Sequence, residues 1–210
     1  MNKPIIILGA GSIGKSAMEA FTSNNVIVYG FLDDETTLQG KEIGEVEVMG
    51  KLDDQGYLSV IGSECEAFVA MEEIEVRRSL VQMLIEDRKV MPVNAIHETA
   101  ILATSADIGH GNFIGAGVII GSYTELKSHL IINPGAIINH DVMLCNYVQV
   151  GAGSVINSGV QIDDEVFIGS GVTIVSGIRV GAGARIGAGS VVIKNVDEGQ
   201  TVFGNPAEPV

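Results

Sequence analysis

Tryptophan is absent from this chain of 210 residues, and aromatic side chains make up only 5% of it. An interior built on large rings is thereby excluded. The 46% apolar content is mostly Ile, Val and Ala, which suit short strands packed with small branched side chains. Cations are scarce as well: 12 Lys and Arg stand against 26 Asp and Glu, a formal charge of −14. Such a surface repels a phosphate backbone and an anionic bilayer, so neither nucleic acid nor a membrane is expected as a partner. Only two cysteines occur, Cys65 and Cys145, too few for a disulfide framework and without metal-ligand spacing. Reduced thiols and a cytoplasmic location are expected. No apolar run approaches the roughly 20 residues of a membrane helix. The opening stretch Met1–Gly14 reads as a strand and a glycine-rich turn instead of a leader.

What is present falls into two halves with different periods. The first, residues 1–92, alternates strands and helices. Pro4–Leu8, Val26–Leu32 and Glu66–Met71 read as strands, and Lys15–Thr22 and Glu75–Asp87 as helices. The expected product is a small Rossmann-like α/β domain with a parallel sheet. Glu35–Gln55, rich in Gly and acids, gives no assignment.

In residues 93–210 the period becomes six. From Ile96 to Val192 every sixth residue is Ile, Leu or Val, seventeen in succession without a slip. A second column two residues earlier holds mostly small side chains, such as Ala136, Val142, Val148 and Ser154. Gly often follows the aliphatic residue, as at Gly121 and Gly151. A strict hexad fits neither an α-helix nor a hairpin sheet. It fits a three-sided parallel β-helix, with one strand and one corner per hexad and 18 residues per coil. Successive coils then rise by about 4.8 Å, and residues 18 apart stack.

Of the four histidines, His140 is the one placed for chemistry. It follows inward Ile138 by two residues, so it sits outside the prism at a corner, next to Asp141. An imidazole there could take a proton from an attacking nucleophile near neutral pH. Asp141 could orient the ring, although neighbours on a strand diverge. In the first half, Gly9-Ala10-Gly11-Ser12-Ile13-Gly14 follows a strand and opens a helix. In that context backbone N–H groups and a helix N-terminus cradle phosphate, and Asp33 ends the second strand, where an acid commonly meets a ribose hydroxyl. One mononucleotide unit suits a nucleotide handle better than a whole dinucleotide.

The chain resembles the hexapeptide-repeat sugar acetyltransferases of the sialic-acid O-acetyltransferase, or NeuD/PglD-like, family. The residues that carry the resemblance are Gly9–Gly14, Phe31-Leu32-Asp33-Asp34, the hexads, Ile138-Asn139-His140-Asp141 and Gly204-Asn205-Pro206-Ala207. It implies a left-handed β-helix, acetyl-CoA as co-substrate without a metal, a nucleotide-sugar acceptor and a homotrimer with clefts between neighbours. It assigns His140 as general base, with Asp141 beside it. It places the nucleotide on Gly9, Gly11, Ser12, Gly14, Asp33 and Asp34. The coenzyme is expected along Ser158, Gly159, Ser176, Gly177, Ala188 and Gly189, with its phosphates near Lys194. Backbone N–H groups of Ser158 or Gly159 are candidates to hold the thioester oxygen. Arg179 and Arg185, in the same last coils as Lys194, are expected to form a local basic end. Two positions depart from the family pattern: Gln149 stands where a second histidine is usual, and Glu208 where the tail usually carries a cation.

N-acetylation of a nucleotide-linked 4-amino-dideoxy sugar for a surface glycan is the favoured reaction. O-acetylation of a sialic acid or polysaccharide unit stands next. A metal enzyme on the same helix would need closely spaced histidines, whereas His129 and His140 are the nearest pair. A non-catalytic nucleotide-sensing module predicts that His140 is dispensable.

Overall fold

A computed structural model describes residues 3–210; the first two residues of the Met1–Gly14 stretch lie outside it. The chain forms two compact units, Met1–Glu98 and Thr99–Val210.

The first unit is built on a five-stranded sheet. Its strands are β1 (Ile5–Leu8), β2 (Val28–Leu32), β3 (Glu42–Ile43), β4 (Val46–Gly50) and β5 (Glu66–Val69). Their spatial order is β3-β4-β2-β1-β5, parallel except for β3 against β4. All four residues of β1 are buried, as befits a central parallel strand covered on both faces. Helix α1 (Ser12–Ser23) buries Ile13, Ala17, Ala20 and Phe21, and Phe21 meets Phe68 edge to face at 5.9 Å. On the other side Ile6, Leu8 and Leu32 pack in one cluster with Leu58 of α2 (Gln55–Leu58) and with Val81 and Leu84 of α3 (Ile74–Glu86). The expected strands and helices are all present, with no end shifted by more than three residues. The unassigned stretch Glu35–Gln55 contains the β3–β4 hairpin.

The second unit is a three-sided parallel β-helix. One face holds six strands, from Ile101–Leu102 to Val191–Val192, spaced 18 residues apart. A second face holds five, from Asp107–Ile108 to Arg179–Val180. A third runs from Phe113–Ile114 to Arg185–Ile186 and is extended by the hairpin Thr201–Phe203 and Glu208–Pro209. From Ile114 onward every residue of the aliphatic column is buried, whereas Leu102 and Ile108 at the first coil stay partly exposed. The column two residues earlier lines the inner corners. Its polar members are satisfied by corner backbone: Thr124 Oγ1 donates to Asn139 O and Ser154 Oγ to Gly169 O, and Ser190 Oγ accepts from the Gly204 N–H.

Glycine has two separate uses in these corners. Gly135, just before inward Ala136, takes a left-handed φ of 71°. Gly121, which follows inward Ile120, has no such angle. A Cβ there would lie 2.6 Å from Asn139 C and His140 N of the next coil. Where a glycine follows an inward aliphatic residue, as here and at Gly151, it serves close stacking of coils.

Candidate functional site

His140 occupies the first turn position of a corner, and the structure fixes it from above and below. The Asp141 N–H donates to Ser122 O at 3.0 Å in the coil below, and the Gly159 N–H to His140 O at 3.2 Å in the coil above. Asn139 Oδ1 accepts from the His140 N–H at 2.9 Å, and Thr124 holds the Asn139 carbonyl. The backbone is pinned while the ring is left outside, its side chain 57% exposed.

Both ring nitrogens have partners. Nδ1 lies 2.7 Å from Asp141 Oδ2, and Nε2 lies 2.8 Å from Ser158 Oγ. Adjacency on a strand predicts that residues 140 and 141 diverge. They sit on a corner instead, where Asp141 adopts a φ of 57°, a left-handed conformation that Asp tolerates, and its carboxylate folds back to the ring. An ionised carboxylate only accepts, so the proton of a neutral ring resides on Nδ1 and the Nε2 lone pair faces Ser158. That is the orientation a general base requires.

The expected coenzyme track is only partly assembled. Ser158, Gly159, Ser176, Gly177 and Lys194 stand in the His140 corner, one coil above another. Ala188 and Gly189 belong to the corner at the opposite edge of the same face. The Gly159 N–H is spent on His140 O and the Gly177 N–H on Ser158 O. Gly159 is therefore ruled out as an oxyanion donor, and the Ser158 N–H remains. The expected basic end is not one cluster. Arg179, on the second face, pairs with Asp163 at 2.9 Å. Arg185, on the third, lies over the Phe167 ring at 4.8 Å. Lys194 meets Glu208 at 3.5 Å, so the tail residue that departs from the family pattern neutralises the cation it would otherwise reinforce. Gln149 sits on the third face, away from the His140 corner.

In the first unit the glycine-rich turn is shaped for close approach. A Cβ on Gly14 would meet Gly9 O at 2.1 Å, and one on Gly9, whose φ is 112°, would strike Met71 Sδ. Nothing lies within 4 Å of a Cβ on Gly11, so that edge is open to a ligand. Ser12 opens α1, whose first turn carries no acid and no side-chain cap. Asp33 braces this turn: Oδ2 accepts from the Ala10 N–H at 2.6 Å and Oδ1 from the Glu35 N–H at 2.8 Å. Asp34 Oδ1 accepts from the Leu52 N–H at 3.0 Å. Asp34 also borders a cavity of about 520 Å³ walled by Leu52, Leu58, Val76, Leu80 and Met83, within the size range of small-ligand sites. Apart from Asp34 no motif marks this cavity, and four of its ten lining residues, Leu52, Asp53, Gln55 and Leu58, come from the unassigned stretch and the short helix after it.

Burial, reinforced by Asp164 and Asp163, raises the Cys145 thiol above its ordinary range, which disfavours a reactive thiolate. No group of three or more His, Cys, Asp or Glu among the described residues could hold a metal ion. No described helix is long and apolar enough to cross a membrane.

Residues 4–84 match the PglD N-terminal domain, and residues 159–194 match the bacterial transferase hexapeptide, six repeats. No curated protein sequence matches significantly. Among solved structures, the acetyltransferase domain of PglB from Neisseria gonorrhoeae, in complex with acetyl coenzyme A, is 28% identical. It aligns over 100% of both chains with a TM-score of 0.91. A histidine-to-alanine mutant of GDP-perosamine N-acetyltransferase from Caulobacter crescentus, in complex with CoA and GDP-perosamine, is 26% identical. It aligns over 99% of this chain and 96% of its own, with a TM-score of 0.88. A mutant of the same enzyme with asparagine in place of that histidine is 27% identical, over the same shares of the two chains, with a TM-score of 0.90.

Proposed function

We propose that this chain, which belongs to the hexapeptide-repeat acetyltransferases of the PglD/NeuD-like type, moves the acetyl group of acetyl-CoA to the amine of a nucleotide-linked amino sugar. The observation that carries the reading is the outward corner at His140, where a carboxylate orients the ring and leaves Nε2 to accept a proton.

The amine attacks the thioester carbon directly. His140 receives the proton as the bond forms, and Asp141 stabilises the resulting imidazolium. Charge developing on the thioester oxygen is met by the Ser158 N–H. CoA leaves as the thiol. No cysteine intermediate is required, in keeping with the raised Cys145. The nucleotide handle is held by the Gly9–Gly14 turn and the N-terminus of α1. The cavity beside Asp34, apolar with an acidic rim, suits a base. The coenzyme extends from Ser158 past Ser176 toward Lys194, whose exposed pairing with Glu208 an incoming phosphate can displace.

We further assign a homotrimer. The outer column of the first face reads Ile101, Ile119, Ile137, Val155, Thr173 and Val191, with Ile101 63% and Ile119 39% exposed. The second face carries Asp107, Glu125, Met143, Gln161 and Arg179 in the same places. The third face interrupts Phe113, Ile131 and Phe167 with Gln149 and Arg185 there, so the continuous β-branched stripe belongs to the first face, which a second copy would cover. The reaction is assigned to the cytoplasm, the compartment expected from two unpaired cysteines.

The test is thiol release from acetyl-CoA against UDP- and GDP-linked amino sugars and their hydroxy counterparts. Turnover with an amino sugar supports the reading; turnover with hydroxy acceptors alone replaces it with O-acetylation. Sedimentation of a stable monomer would remove the trimer.

A further inference from the structure

We propose that the Ser158 hydroxyl is a second catalytic group of this corner, relaying the acceptor's proton to His140 so that the imidazole does not take it directly. The proposal rests on the acetyl-transfer reading and adds to it a step that reading does not contain.

The geometry is a three-member chain: Asp141 Oδ2 to Nδ1 at 2.7 Å, then Nε2 to Ser158 Oγ at 2.8 Å. With the Nδ1 proton given to the carboxylate, the Nε2 lone pair can only accept, and the hydroxyl supplies the proton. Ser158 stands one coil above His140, and its backbone is tied into the corner ladder through its carbonyl, which accepts from the Gly177 N–H at 3.0 Å. The basic lone pair of the imidazole therefore points up the stack and is capped. What the corner offers an incoming nucleophile is the hydroxyl oxygen, which has donated its one proton and keeps two lone pairs.

Among the serines stacked on His140, only this one has its side chain on the ring. Ser122 contributes its backbone carbonyl, to the Asp141 N–H, and Ser176 lies one coil beyond Ser158.

The step balances. As the amine nitrogen bonds to the thioester carbon, its proton passes to Ser158 Oγ while the hydroxyl proton passes to His140 Nε2. When the tetrahedral species collapses, the carbon–sulfur bond breaks. The thiolate takes a proton back along the same path, leaving amide, CoA thiol and an unchanged serine. A nucleophilic role for Ser158 is less well served. An oxyanion beside Oγ would find the Ser158 N–H but not the Gly159 N–H, which His140 O already occupies.

The experiment uses the full chain with acetyl-CoA and the amino sugar that turns over, comparing wild type with Ser158→Ala and Ser158→Thr. Loss of the relay should lower kcat by about tenfold or more in Ser158→Ala, with both KM values and the melting temperature little changed. Ser158→Thr, which keeps the hydroxyl, should recover most of the rate. In mixtures of H2O and D2O the wild-type rate should follow a curved proton inventory, two protons moving together, and Ser158→Ala a linear one. Unchanged kcat in Ser158→Ala, equal loss in both variants, or a linear wild-type inventory would overturn the relay while leaving acetyl transfer intact. An acetylated Ser158 in the intact-protein mass after acetyl-CoA alone would overturn it in favour of a nucleophile. If wild type releases no thiol with any amino sugar, the acetyl-transfer reading itself has failed, and the relay with it.

Discussion

Two corners of the same β-helix each carry a histidine, and they use it in opposite ways. His129 takes the second turn position of its corner, with a φ of 64°; its residue is only 7% exposed, and its ring stacks on Tyr147 one coil above at 5.0 Å. His140 takes the first turn position of the next-but-one corner, and its side chain is 57% exposed. Their surroundings differ in the same sense. Along the His129 corner, side chains are consumed by backbone N–H groups of the coil below. Ser128 Oγ serves His110, Asn146 Oδ1 serves Ser128, and Asp164 Oδ1 serves Asn146. At the His140 corner that duty falls on Asn139, which caps the His140 N–H. Asp141 and Ser158 are then free to engage the ring. One step of register at a corner thus separates a histidine that packs from one that can react.

Substitutions at either corner can break this contrast. The largest effect is expected from Gly121→Val, which would drive a side chain into the Asn139–His140 peptide. It should cost about 3 kcal/mol of stability, as overpacking does, and abolish turnover; chemical denaturation alongside thiol release measures both. His129→Ala removes a buried ring and should cost about 2 kcal/mol, yet leave kcat within about twofold once folded. A large fall in kcat there would erase the distinction between the corners. Asp141→Asn should leave the melting temperature unchanged and reduce kcat by about tenfold, near 1.4 kcal/mol of transition-state stabilisation. Glu208→Gln should have the smallest effect. Freeing Lys194 from an exposed pair should lower the KM for acetyl-CoA by about twofold at low ionic strength and less at high salt.

The β-helix is legible in the residues because its signal is redundant: seventeen aliphatic positions in one register leave no competing fold. The central strands and both long helices of the first unit are legible for similar reasons. The β3–β4 hairpin is not, since Glu42–Gly50 mixes acids and glycine and shows no alternation strong enough to mark two short edge strands. At the site, the coil period stacks Ser158 over His140 but cannot say that its hydroxyl reaches Nε2, which depends on rotamers. Strand geometry undervalues the Asp141 contact, because residues 140 and 141 lie on a corner. The period also cannot show that the ladder between coils already uses the Gly159 N–H. A basic end follows from closeness in sequence alone, and at 18 residues per coil Arg179 and Arg185 fall on different faces.

If the outward corner at His140 performs acetyl transfer, the chemistry must fail when its ring loses basicity while the coenzyme still binds. The most direct test measures acetyl-CoA-dependent acetylation of a nucleotide-linked amino sugar by wild type and by His140→Asn, with acetyl-CoA binding followed calorimetrically in both. Product from wild type, at least about a hundredfold less from the variant, and unchanged coenzyme binding are predicted. Equal rates from the two proteins would contradict the account.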